Sequence, residues 1–131
     1  MFDAYRQFYR APSDLELARR FLLERFRHSE SVIFIAELPG GAPAGFTQLY
    51  PSFSSLSAAQ ILVLNDLYVQ PEARRMKVAS VLMDAAIAYG RTIGAVRLTL
   101  STEVSNIAAQ ALYETSGWSK QTDFLTYNLP L

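Results

Sequence analysis

The segment Ile61-Leu62-Val63-Leu64-Asn65-Asp66-Leu67-Tyr68-Val69 constrains this chain more than any other, because the period changes directly after it. The run is apolar enough for a central strand covered on both faces. Beyond Gln70-Pro71-Glu72-Ala73-Arg74, the residues Val78, Val81, Leu82, Ala85, Ala86 and Tyr89 recur at helical spacing, and Gly94 closes the segment. A buried strand that passes through a tight turn straight into a helix demands layers. Helices must cover a sheet, and at least one strand-helix-strand crossover, expected to be right-handed, must join parallel strands.

The remaining segments fill in that frame. Phe2, Tyr5, Phe8 and Tyr9 share a helical face within the first ten residues, and Ala11-Pro12 interrupts it. Ser13-Asp14-Leu15-Glu16 has the form of a capping box with Ser13 as the cap, and predicts a helix to about Phe26 that buries Leu17, Phe21 and Phe26. Val32 to Ala36 and Gly45 to Tyr50, punctuated by Pro39-Gly40-Gly41, read as a hairpin, and Pro51 to Ser57 as a polar stretch before the central strand. Ala95 to Ser101 reads as a strand, Asn106 to Glu114 as a helix with Gly117 at its left-handed end, and Phe124 to Leu129 as a final strand. The predicted order is helix, helix, three strands, helix, strand, helix, strand: an α/β sandwich around a mixed sheet.

At 131 residues the chain suits a single domain, residues 1–131. Its 12 basic and 12 acidic residues cancel, which gives no reason to expect a nucleic-acid surface and makes any phosphate binding local. The absence of cysteine excludes disulfides, zinc-thiolate sites and thiol nucleophiles. The single histidine, His28, has no second histidine with which to share a metal, so no metal site is expected and His28 reads as a surface or helix-end residue. No window is apolar over the length a bilayer requires, and the N-terminus lacks a signal peptide's apolar run, so a cytoplasmic location away from membranes is expected.

The chemistry concentrates between Val69 and Ser80. A strand ending in a turn before a helix presents unpaired backbone N–H groups and the positive end of the helix dipole, a ready site for a phosphate or diphosphate. Arg74, Arg75 and Lys77 add charge. Cations at a helix N-terminus oppose the dipole, so their placement points to an anion, although a solvated basic surface is the competing explanation.

Val69-x-Pro71-x-x-Arg74-x-x-Lys77-x-Ala79 resembles the acetyl-CoA signature of the GNAT N-acetyltransferase superfamily, Gln/Arg-x-x-Gly-x-Gly/Ala. Leu64 to Val69 resembles the Glu-Asp-Leu-Tyr/Phe-Val strand of its amine-acetylating branch. Asn106-x-x-Ala109-x-x-Leu112-Tyr113-x-x-x-Gly117-Trp118 is similar to its second block, and Phe124 to Leu129 to its final strand. The resemblance implies transfer of acetyl from acetyl-CoA to a primary amine in a ternary complex, without metal or covalent intermediate. It implies that main-chain groups near Leu67 and Val69 hold the acetyl carbonyl and the pantetheine arm, the first as an oxyanion donor. Arg74, Arg75, Met76, Lys77, Val78, Ala79 and Ser80 would cradle the diphosphate, and Asn106 would bond the cofactor arm. Tyr113 would protonate the departing thiolate, where spacing alone reads it as packing beside Ala109. Asp66 is either the base that takes the amine's proton or a residue that fixes a loop. Tyr5, Tyr9, Tyr50 and Phe53 either line an amine pocket through cation–π contacts or belong to the core.

Two departures from the pattern stand out. Lys77 occupies the position of the signature's first glycine, where a side chain resists positive φ. The family also opens with an additional strand that this sequence does not show, so an exposed sheet edge available to a second copy, a homodimer, is expected. The expected acceptor is a small-molecule amine such as a polyamine or amino metabolite. The rival readings are a protein or peptide N-acetyltransferase, and a non-catalytic CoA-binding or regulatory domain.

Overall fold

A computed structural model describes all residues, Met1–Leu131, and the chain divides into two units, Met1–Ser101 and Thr102–Leu131. The first unit contains α1 (Phe2–Phe8), α2 (Leu15–Arg27), β1 (Val32–Glu37), β2 (Pro43–Ser54), β3 (Ala59–Val69), a 3₁₀ turn (Pro71–Ala73), α3 (Val78–Thr92) and β4 (Leu98–Thr99). Its sheet runs β1-β2-β3-β4, antiparallel except for the last pair, which is parallel through Leu62↔Leu98 and Val63↔Thr99. That parallel pair is the crossover expected from the change of period at Val69. The second unit contains α4 (Ile107–Thr115), capped by the Asn106 side chain, which accepts from the Ala109 N–H at 3.2 Å. No helix is long and apolar enough to cross a membrane.

β2 alternates by design of the pleat, so its two faces meet different partners. On one, α3 packs: Val78 and Leu82 join Ala44 and Ala73, with Phe34, Ala36, Leu38, Leu67 and Val69 around them. Leu49 and Leu62 are fully buried and Leu82 nearly so, and each such side chain contributes about 1.5–3 kcal/mol on removal from water. On the other face, Phe46 and Tyr68 pair across β2 and β3 and carry α1, with Phe2 and Tyr5 ring centroids 6.1 and 6.0 Å from Phe46. Phe2 also stacks on Phe21 of α2 at 5.5 Å.

Several expectations are corrected. The cap of α2 is Asp14, whose carboxylate accepts from the Leu17 N–H at 2.9 Å, while the Ser13 hydroxyl instead donates to Asp3 at 2.7 Å. Of the three α2 residues expected to be buried, Leu17 is 37% and Phe26 78% exposed, because the helix buries only a narrow stripe against α1 and its Phe2 ring. β2 does not stop at Tyr50 but continues through Pro51 to Ser54. β1 has already ended, its last pair being Val32↔Leu49, so the N–H that Pro51 lacks would have had no strand to bond. The strand expected over Ala95 to Ser101 shrinks to Leu98–Thr99, and no strand forms over Phe124 to Leu129.

Candidate active site

The turn between β3 and α3 is built by local rules. The Gln70 N–H donates to Ala44 O at 2.8 Å, which anchors the end of β3 to β2, and Pro71 starts the single 3₁₀ turn that buries Ala73. Arg75 and Lys77 then both take left-handed backbone conformations, φ 63° and φ 61°. Lys77 therefore adopts the conformation for which glycine is preferred, and serves as N-cap of α3 without a side-chain bond to it. The backbone N–H groups from Arg75 to Ser80 find no acceptor in the protein, and the first turn of α3 carries no acidic residue. The result is a row of main-chain donors at the positive end of a fifteen-residue helix, flanked by the exposed side chains of Arg74, Arg75, Met76 and Lys77.

Beside that turn the sheet opens. Pairing of β3 with β4 ends at Val63↔Thr99, so from Leu64 to Val69 the edge of β3 facing away from β2 has no strand alongside it. Thr47↔Leu67 and Gly45↔Val69 pair on the β2 side.

On the α1 face, a polar cluster centres on Asp66. The register of β2 against β3 shifts between Gln48↔Asp66 and Leu49↔Leu64, so Asn65 is an extra residue in β3, and this bulge re-aims the strand at Asp66. Asp66 is 2% exposed; its Oδ2 accepts from Gln48 Nε2 at 2.7 Å and its Oδ1 from Asn65 Nδ2 at 3.2 Å. Gln48 Nε2 also donates to the Tyr50 hydroxyl at 2.9 Å, and the Ser31 hydroxyl donates to Gln48 Oε1 at 3.1 Å. The Tyr5 hydroxyl donates to the Asn65 carbonyl at 3.4 Å. Burial first, and then the neighbouring Asp66 carboxylate, push the Tyr5 phenol above its ordinary range, so it stays protonated as a donor. Burial and the Asp66 charge raise Tyr50 as well, while Arg25 and the bond from Gln48 oppose that shift. The carboxylate has no cation bonded to it; the ion pairs of the protein lie at Arg6–Asp3 and around Arg25, with Glu24 and Glu30.

The structure thus brings Asp66, Tyr5 and Tyr50 together, with Tyr9 stacked edge-on against Tyr5 at 5.2 Å. Phe53 stands apart: it pairs with Gln60 at the far end of β2 and is 78% exposed. Asn106 spends its side-chain oxygen on capping α4, which leaves its amide nitrogen as a donor. Tyr113 lies on α4 with its ring 6.2 Å from that of Trp118. His28 ends α2, its Nδ1 2.9 Å from Glu24 O. The residue that sequence reading missed is Gln48, buried completely at the centre of the polar cluster. Its only signal was a large amide between Thr47 and Leu49, in a strand otherwise read as half of a hairpin.

Residues 1–118 match the acetyltransferase (GNAT) family. A protein of Bacillus subtilis (strain 168) named "Uncharacterized N-acetyltransferase YhfO" is 48% identical over 129 residues, spanning 98% of this chain and 86% of its own. A solved structure described as a probable acetyltransferase superposes with a TM-score of 0.93 at 45% identity, over 99% of this chain and 87% of that one. AAC(6')-Iy, solved with the bisubstrate analogue CoA-S-monomethyl-acetylneamine, shares the fold at a TM-score of 0.79 and 18% identity, over 98% and 89% of the two chains.

Proposed function

The chain belongs to the acetyltransferase (GNAT) family and is an acyltransferase, and from that premise we propose that it transfers acetyl from acetyl-CoA to a primary amine of a small molecule. The amine attacks the thioester directly in a ternary complex. The observation that carries this reading is the row of unpartnered main-chain donors from Arg75 to Ser80 at the start of α3. A diphosphate supplies the acceptors such a row lacks, and binding it by backbone needs no glycine as long as the loop keeps its left-handed turns, as Lys77 does.

The other roles follow from the chemistry of the transfer. The edge of β3 left open between Leu64 and Val69 offers main-chain groups to the acetyl carbonyl and the pantetheine amides, and a donor near Leu67 stabilises the oxyanion as the tetrahedral intermediate forms. Asn106 contributes its amide nitrogen to the cofactor arm. An incoming ammonium must lose a proton, and Asp66 is the base that receives it, through water because the carboxylate is 2% exposed. The phenols of Tyr5, Tyr9 and Tyr50 line the amine's approach. When the intermediate collapses, the C–S bond breaks and Tyr113 gives the departing thiolate its proton.

The test is to incubate the protein with acetyl-CoA and a panel of small amines, and to follow free thiol together with N-acetylated product. Amine-dependent thiol release with matching product is expected, and Tyr113→Phe should lower kcat by about 10²-fold while leaving CoA affinity within a few-fold. Tight CoA binding with no thiol release across the whole panel would establish a non-catalytic binding domain instead.

A further inference from the structure

We propose that Gln48 is a positioning residue that makes Tyr50 a directed hydrogen-bond donor beside Asp66, so that this site prefers amines carrying an oxygen two or three carbons from the nitrogen. The inference rests on the amine-acetylation reading above and names the class of amine.

Gln48 is completely buried and bonded at both ends, so its orientation is not free. A carboxylate only accepts hydrogen bonds; the end of the amide 2.7 Å from Asp66 Oδ2 must therefore be the NH₂. The carbonyl end is then held by the Ser31 hydroxyl at 3.1 Å. With one N–H committed to Asp66, the other falls on the Tyr50 oxygen at 2.9 Å. Tyr50 is thereby made an acceptor toward Gln48, and its own O–H proton, which no protein atom takes up, must turn away from that amide, at a half-buried position.

The geometry sets a length as well as a polarity. Two acceptors bonded to the two hydrogens of one planar NH₂ lie about 5 Å apart. The Asp66 carboxylate, reached through water, and an O–H donor at that separation match a molecule whose amino group is held near Asp66 and whose oxygen accepts from Tyr50. Amino alcohols and amino carbonyl compounds have this pattern. A plain alkylamine reaches the carboxylate's field but displaces the acceptor of the Tyr50 proton without replacing it, which costs affinity.

The proposal is tested with isosteric pairs at saturating acetyl-CoA: ethanolamine against propylamine, and 3-aminopropanol against butylamine. kcat and KM are measured for the native protein, Tyr50→Phe and Gln48→Met, and binding of each amine to the CoA-loaded protein is measured by calorimetry. The native protein should favour the oxygen-bearing member of at least one pair by about tenfold in kcat/KM. Tyr50→Phe should abolish that preference with CoA binding retained. Gln48→Met should shrink it, chiefly through KM for the oxygen-bearing amine, although Tyr50 is still present; a merely structural role would depress both members of a pair alike. Equal kcat/KM for both members in the native protein, or a preference that survives Tyr50→Phe, overturns the proposal. If Gln48→Met does not fold, Tyr50→Phe decides. If no amine is acetylated, the reaction reading fails separately, and calorimetry settles the site. Oxygen-selective binding lost in Tyr50→Phe sustains it, and its absence overturns it.

Discussion

Lys77 holds φ 61° and ψ 14° at the position where a glycine would be unstrained, and its neighbour Arg75 is left-handed too. A left-handed residue with a β-carbon costs roughly 1–2 kcal/mol, most for a β-branched side chain. Lys77→Val should therefore lower stability by about 1–2 kcal/mol in urea titrations, whereas Lys77→Gly should match or exceed the native midpoint, and a glycine variant as unstable as the valine one would contradict the backbone assignment. Asp3 gives the pH dependence. The Asp14 N–H first, then the Ser13 hydroxyl, hold its carboxyl below the ordinary carboxylate range, with Gln7 and Arg6 assisting. A carboxyl depressed on folding contributes stability that is fully present above its unfolded value and is lost as pH falls through the folded one. Thermal melts of the native protein should thus lose stability below about pH 4 more steeply than those of Asp3→Asn, which removes the titrating group. Parallel acid limbs would show that Asp3 does not supply this term.

Among the elements, the tightest joint is where β2 passes β3 and α3. A β-carbon on Gly45 would sit 2.5 Å from the Tyr68 carbonyl oxygen and within 3.3 Å of Val78 and Leu82 side chains. Backbone cannot yield as a flexible side chain can, so Gly45→Ala should destabilise by about 1–3 kcal/mol, measured by chemical denaturation. Gly90→Ala, whose nearest obstacle at 2.7 Å is the Leu98 methyl end, should cost less. These joints also explain what the sequence made readable. The turn after Val69 and the start of α3 were legible because local spacing and Pro71 dictate them. Ser13 and Asp14 are equally good caps on paper; the choice fell to Asp14 because Asp3, eleven residues earlier in the chain, recruits both the Ser13 hydroxyl and the Asp14 N–H. The polar cluster was half legible. Asp66, Tyr5 and Tyr50 could be named as chemistry-bearing residues, but Gln48 acquires meaning only from a register containing the Asn65 bulge, which alternation along one strand does not reveal. Phe124 to Leu129 failed as a strand because β propensity describes a residue's fit to a pleated surface, not the presence of a partner.

For the molecule as a whole, one unit, Met1–Ser101, carries both the donor row on the α3 side of the sheet and the Asp66 cluster on its α1 face, while Asn106 and Tyr113 belong to the other unit. The proposed acyl transfer depends on that donor row, which would hold the coenzyme by its phosphates near the open edge of β3. Backbone amide resonances report that directly. In a titration of the protein with CoA, the ¹H–¹⁵N signals of Arg75 to Ser80 should move most, and downfield, as their N–H groups acquire anionic acceptors. Saturating CoA that leaves those signals in place while shifting another surface, such as the arginine-bearing face of α2, would contradict it.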